Sequence, residues 1–413
     1  MAKKLSEPSL KVKKFTGLNN KAEPRTMSPG ELVRADNVDI DDRNAVRMRR
    51  GHVLALAGSS ITAAWASEDE SRMFLIDSGE LQEFNGEAKL TLASGFSADE
   101  AYFADAGDRY YVSCGTRLGI ITADGYVDLV VPTPDTPQAV AGPGNLGAGR
   151  WLVAAVHRAP DGRQGAASQI QQIILEEDQG LDITIDPVSG FETLVYCSKQ
   201  NGDQLFYAGV VDGGSVHITN LSQVGGDVLD NAQIMGGEPP VPSGPIAYFG
   251  GQLYVTVIDR PSGLSYIFRS EPFWTHLFSA WRDVETIHGQ VRMLTAVPEG
   301  VIVGTNRSVF ALSEGGLTTL AEYGVVPGQT AFLDRATDNV YFWTVEGICR
   351  ALPFENLTES RLSAPPGDRC FVGLIREGGF GRLVVGTAIA DGEGDGTVPS
   401  NPRNRWRNQT GNG

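Results

Sequence analysis

No stretch of this 413-residue chain approaches the ~18–20 consecutive apolar residues that cross a bilayer as a helix, so no helical membrane span is expected. Lys3-Lys4 leads into polar residues rather than an apolar stretch, so a secretory leader is not expected either. Cysteine is scarce: Cys114, Cys197, Cys349 and Cys370 stand far apart with no CxxC spacing, which argues against a thiolate metal site and a disulfide framework. Cys114 and Cys197 sit inside strand-like runs and read as small buried hydrophobes. The five histidines (52, 157, 217, 276 and 288) show no HxH or HxxxH spacing, so the pattern names no metal centre. A G-x-S-x-G elbow is missing, as is the Ser-x-Asp-x-Gly-x-Thr-Trp box of sialidase-type propellers. No catalytic residue and no cofactor is therefore assigned.

Charge of one sign is short over most of the chain. Residues 1–50 hold 12 Lys/Arg against 7 Asp/Glu, whereas the remainder holds 22 against 43. A body this acidic repels a phosphate backbone, which argues against sequence-specific DNA binding. The basic N-terminal arm, with Lys3, Lys4, Lys11, Lys13 and Lys14, suits an acidic neighbouring subunit.

What the chain has in quantity is glycine, 50 residues, with 22 prolines and no long amphipathic helical pattern. That composition belongs to short strands joined by tight turns. One pattern recurs: an apolar run, a polar turn, a second apolar run, then Gly or Asp-Gly. The first runs are Met73–Ile76, Tyr110–Val112, Leu253–Val255, Val301–Val303, Val340–Phe342 and Leu383–Val385, and the steps between them are 37, 143, 48, 39 and 43 residues. All but one step lie near the roughly 40–50 residues of a propeller blade. The long step exceeds a blade by about 100 residues, the size of a β-sandwich.

The expected fold is all-β: a β-propeller of about six blades, with five to seven compatible, carrying an inserted fibronectin type III-like sandwich. Residues 1–51 form a basic arm and N-terminal strands, and 52–131 the first blades. The sandwich occupies 138–222, the remaining blades 243–390, and a flexible tail 391–413. Proline clusters at 131–137 and 237–242 bracket the insertion, because proline cannot donate to a sheet ladder.

Several motifs weaken in context. Gly142-Pro143-Gly144-Asn145-Leu146-Gly147 matches G-x-G-x-x-G, but a strand rather than a helix is expected after it, so it reads as a turn. Asp391–Gly396 looks like the front of a calcium loop, yet Pro402 stands where the bidentate Glu belongs. Asn306-Arg307-Ser308 and Asn356-Leu357-Thr358 match glycosylation sequons by chance. Gly304 and Gly324 read as turn glycines. The cluster Pro272-Phe273-Trp274-Thr275-His276-Leu277-Phe278 reads as a plug between blades or as an aromatic ledge for a partner.

Three stretches carry a family resemblance. They are Phe15–Asn20 with Ala35–Ile40 and Arg49-Arg50-Gly51; Gly250–Val255 with Ser270-Glu271-Pro272 and His276-Leu277-Phe278; and Val297–Thr305 with Phe310-Ala311-Leu312 and Tyr323–Gly328. Together they resemble tailed-bacteriophage tail proteins of the propeller-bearing nozzle, hub or packaged-DNA stabilisation type. The resemblance implies a structural, non-enzymatic virion component, folded in the host cytoplasm. It would form a homo-oligomeric ring that contacts neighbouring tail proteins and lets DNA pass without specific binding. The residues expected to serve assembly are Lys11, Lys13, Lys14, Arg49, Arg50, Trp274 and Phe278. The alternatives are a tail-tip or fibre-attachment protein, a glycan-binding module with Trp274 and Trp281 as its platform, and a glycan-processing propeller with carboxylates paired across blades.

Overall fold

The computed structural model describes residues 14–36, 38–40, 44–48, 56–279, 281–377, 380–388 and 407–411. The chain is all-β: among these residues the helical elements are one short helix, α1 (Asn231–Met235), and a 3-10 turn at Leu221–Gln223. All six apolar runs of the repeat become strands. Sheet A contains Ile61–Ala66, Met73–Asp77, Glu80–Phe84 and Lys89–Ser94, and sheet B contains Ala101–Asp105, Tyr110–Cys114, Arg117–Thr122 and Gly125–Asp128. Sheet C contains Ile246–Phe249, Gln252–Asp259, Leu264–Glu271 and Trp274–Phe278, with Val284–His288 also pairing to Leu264–Glu271. Sheet D contains Val291–Val297, Gly300–Thr305, Val309–Ser313 and Gly316–Ala321; sheet E contains Ala331–Asp334, Asn339–Thr344, Gly347–Arg350 and Glu355–Asn356. Each of these five is a meander whose second strand carries the repeat. In sheet F the order is Gly328–Gln329, Arg369–Glu377, Phe380–Ala388 and Arg407–Gly411, and the repeat falls in the third. The strand Arg407–Gly411 departs from the expected flexible tail, whose residues 391–406 and 412–413 lie outside the described set.

Local chemistry closes the hairpins in a repeated way. Side-chain oxygens of Asp105, Thr122, Thr305, Asp334 and Thr344 each accept from the amide two residues on, at 2.7, 3.2, 3.1, 3.1 and 3.3 Å. Such turns bend the chain while satisfying a donor that leaves the ladder.

The chain divides into two compact units, Thr62–Ala64 with Phe74–Val291, and Met1–Ile61 with Trp65–Met73 and Arg292–Gly413. In the second unit, strand Asn339–Thr344 of sheet E is apolar on both faces. Val340 and Phe342 pack with Met293, Ile302 and Val309 of sheet D, while Trp343 and Tyr341 pack with Val372, Leu383 and Val385 of sheet F. The first unit repeats this arrangement. The Tyr110 ring of sheet B lies 5.1 Å from Phe74 of sheet A, and Tyr111 stacks at 5.8 Å on Tyr248 of sheet C. Ala104, Leu118, Ile120 and Leu129 then share a core with Ile246, Leu253, Val255 and Phe278.

Gly304 and Gly324 serve close approach rather than turning. Gly304 is buried within its strand, where a Cβ would collide with Val325, and a Cβ on Gly324 would collide with the Asn306 backbone. Neither has a positive φ.

Between sheets B and C the chain leaves to build a two-sheet sandwich. A small sheet (Gln138–Pro143, Gln179–Thr184, Ser215–Ile218) faces a large one (Gln164–Ala167, Gly149–Arg158, Glu192–Ser198, Leu205–Val210, with Gln171–Leu175 beside Gly149–Arg158). Trp151, Val153, Leu181, Ile183, Val195, Cys197 and Ile218 fill the space between them. Its packing runs past the expected end at 222, because Val224 belongs to that core and Leu229 packs against Val156 and Tyr196. Gly142 and Pro143 close a strand, and Gly149–Arg158 follows the glycine motif as a strand, so no helix N-terminus faces that loop.

Two outcomes test this packing. Gly324→Ala, which meets backbone, should cost about 1–3 kcal/mol and more than Gly304→Ala, whose nearest neighbours are side chains, in chemical denaturation. A fragment spanning 138–229 should unfold cooperatively with a β-type circular dichroism spectrum, and one ending at 222 should be less stable by at least the cost of deleting two buried aliphatics, about 2 kcal/mol or more.

Candidate assembly surface

Of the N-terminal basic residues expected to serve assembly, Lys11, Lys13, Arg49 and Arg50 lie outside the described residues. Lys14 is exposed, and the segment after it is anchored. The Asn20 side chain donates to Ser363 O at 2.8 Å and accepts from Ser363 N at 2.7 Å, while Asn20 N donates to Arg361 O at 3.0 Å. Asn19 donates to Glu31 Oε1 at 3.2 Å and accepts from Ala22 N at 3.1 Å. Within the second unit, Asn19 and Asn20 of the Phe15–Asn20 motif are thus stapled to Glu31 and to the 361–363 segment. The hairpin Val38–Ile40 with Val46–Met48 lies further on, and its Met48 side chain is 81% exposed.

The aromatic cluster divides into buried and exposed rings. Phe278 is 2% exposed and part of the core between sheets B and C; its backbone exchanges two hydrogen bonds with Gly237. Phe278 is therefore a junction residue and not a surface anchor. Trp274 is half-buried, its ring 5.8 Å from the His276 imidazole. Tyr111 Oη donates to Thr275 Oγ1 at 2.9 Å, a second tie across the same junction. The side chains that stand clear are Phe273, 84% exposed, and Trp281, 97% exposed.

Phe273 is held at the tip of the hairpin joining the last two strands of sheet C, with φ +64°. A bulky residue in that left-handed region is strained, so the neighbourhood must impose it. Phe273 N donates to Gly251 O at 2.8 Å, and its ring lies so close over Gly251 that a Cβ there would sit 2.9 Å from it. The Gly250-Gly251 turn, with φ +60° and +81°, is thus both a tight hairpin and the seat of the Phe273 ring. Arg282 bridges Glu271 on one side and Asp283 on the other at 3.3 Å, which ties the Trp281 loop to the Phe273 turn. Arg269 adds contacts to Asp283 at 3.4 Å and Glu285 at 3.6 Å.

The plug reading holds for Phe278, and the exposed rings of the cluster are Phe273 and Trp281. Phe273 stands at the turn tip before the strand Trp274–Phe278, whose residues from Thr275 onward are all buried.

Reactive chemistry elsewhere is subdued. Burial pushes the Cys197 thiol up to about 12 and raises Cys114 and Cys349, so these thiols stay protonated at neutral pH. Arg117 lies over the Phe96 and Tyr126 rings at 4.5 and 5.0 Å and pairs with Asp128 at 3.1 Å. Among the described residues no group of three or more His, Cys, Asp or Glu is placed to hold a metal ion. Asn356 of the second sequon is engaged within its turn, accepting from Thr358 N at 3.0 Å and donating to Glu346 O at 3.2 Å.

No family model matches the chain, and no curated protein matches it. Solved structures do. Hsv2 of Kluyveromyces marxianus is 10% identical over 85% of this chain and 96% of its own, with a TM-score of 0.30. BBS1N in complex with ARL6DN is 14% identical over 81% and 90%, with a TM-score of 0.33. The WD40 domain of SCAP from fission yeast is 7% identical over 85% and 72%, with a TM-score of 0.25. At such scores the description of the fold rests on the sheets themselves.

Substitutions separate surface from core. Phe273→Ala and Trp281→Ala should each shift stability by no more than about 0.5 kcal/mol in denaturant melts. Phe278→Ala should cost about 3–5 kcal/mol.

Proposed function

We propose that this chain is a structural, non-enzymatic component of a bacteriophage tail, a β-propeller with a fibronectin type III-like insertion that assembles around the tail axis as a nozzle or hub. The observation that carries the reading is where the resemblance falls. Phe15–Asn20 staples the N-terminal segment, Gly250-Gly251 and Ser270 build the hairpin ledge, and Gly304 and Gly324 set close backbone approach. These are positions that shape a scaffold. Support for the propeller comes from six sheets with one repeated strand and buried two-sided strands. Support for the insertion comes from three strands packed on five between two successive sheets.

Assembly then follows from charge and shape. The N-terminal 50 residues carry a net positive charge and the rest a strong negative one, so the arm of one subunit finds an acidic face on the next. The exposed Phe273 and Trp281 beside Arg282 have the composition of an interface anchor. An acidic conduit lets DNA pass without holding it. In this reading the partners are copies of the chain and neighbouring tail proteins, in the virion after folding in the host cytoplasm. A tail-tip or fibre-attachment position uses the same surfaces. The exposed Phe273 and Trp281 rings also favour a second reading, a glycan-binding platform.

Deleting residues 1–14 should leave a folded chain that no longer enters rings or particles, and the ring should weaken with salt before deletion. Normal incorporation of the truncated chain sinks the assembly reading. Hydrolysis of a polysaccharide or glycoside that vanishes with one carboxylate replaced, fold and oligomer intact, establishes the enzymatic alternative.

A further inference from the structure

Arg163 and Gln164 tie the sandwich to the rest of its unit. Arg163 Nη1 and Nη2 donate to Leu129 O and Asp128 O at 2.7 and 2.9 Å, at the end of sheet B, while Nε pairs with Asp161 at 2.7 Å. Gln164 Oε1 accepts from Tyr196 Oη at 3.0 Å within the sandwich and from Gln233 Nε2 of α1 at 3.1 Å. The Gln164 carbonyl faces His276 Nε2 of sheet C at 2.8 Å. A carbonyl only accepts, so Nε2 carries the hydrogen and the neutral ring keeps Nδ1 open to a proton.

We propose that His276 is an acid-sensitive latch, and that protonating its imidazole releases the sandwich from sheets B and C while each remains folded. The two chain passages at 131–137 and 237–242 then act as the hinge; in the closed form Thr133 N donates to Glu238 Oε1 at 2.7 Å between them.

His276 is 6% exposed, and burial holds its pKa below the ordinary value, opposed by the hydrogen bond to Gln164. From the sandwich, Arg163 disfavours the imidazolium and Asp161 favours it. On α1, Asp230 is engaged with the Ala232 amide at 2.7 Å, and on sheet C the Glu271 carboxylate is paired with Arg282. A lowered folded-state pKa means that the open form takes the proton first. The closed form is at full stability above about pH 6.5, the ordinary value, and loses stability as pH falls from there toward the folded pKa. The second buried histidine, His157, meets Thr193 Oγ1 at 3.0 Å inside the sandwich, and burial lowers its pKa against the opposing Asp135 of the 131–137 passage.

Hydrogen exchange read by mass spectrometry at pH 7.5 and 5.0, corrected for intrinsic exchange rates, tests the latch on the full chain. In the wild type, protection of 161–167 and 231–236 should fall by up to about tenfold per pH unit between about 6.5 and the folded pKa. Strands Gly149–Arg158 and Glu192–Ser198 should stay protected. His276→Gln keeps a donor for the Gln164 carbonyl and takes no proton, so its exchange should be the same at both pH values. His157→Gln should respond to acid as the wild type does. Wild-type protection unchanged by acid, an acid response surviving in His276→Gln or lost in His157→Gln, or opening of the sandwich strands in step with the junction overturns the proposal.

Discussion

Burial of both faces of successive sheets is the constraint on which the rest depends. A strand such as Asn339–Thr344 has no solvent side, so its neighbours in sequence are both apolar and point opposite ways. Sheets B and E each lie between two neighbours within their unit, and turns, glycines and the inserted sandwich must leave that stacking intact. Gly304 and Gly324 show the requirement at atomic scale, because a single methyl group at either would push into the next strand or its turn. The insertion leaves between sheets B and C without separating them, since Tyr111 reaches across to Tyr248 and Thr275.

This also explains what was legible in the sequence. Second strands buried on both faces are continuous apolar runs, and these set the repeat. Outer strands such as Lys89–Ser94 and Gly316–Ala321 are mostly exposed or half-buried and carry too little apolar pattern to be read alone. Packing of the sandwich continues past its last strand through Val224 and Leu229, which carry no strand pattern to mark them. The strand at Arg407–Gly411 follows a Gly/Asp-rich stretch whose composition points away from sheets.

The surface site was legible only in outline. Composition located an aromatic cluster near 270–281, but which ring faces water depends on where the hairpin turn falls and on a left-handed residue at its tip. Phe278 falls on the inward face beside Leu253 and Val255, while Phe273 is lifted out by a two-glycine turn beneath it. The Gln164 junction left no trace in the pattern at all, because Arg163, Gln164, Gln233 and His276 are brought together from distant parts of the chain.

Electron microscopy of the purified protein tests the account most directly. The account predicts rings with rotational symmetry about a central passage. Single, unassociated particles at concentrations and salt that preserve the fold would contradict it.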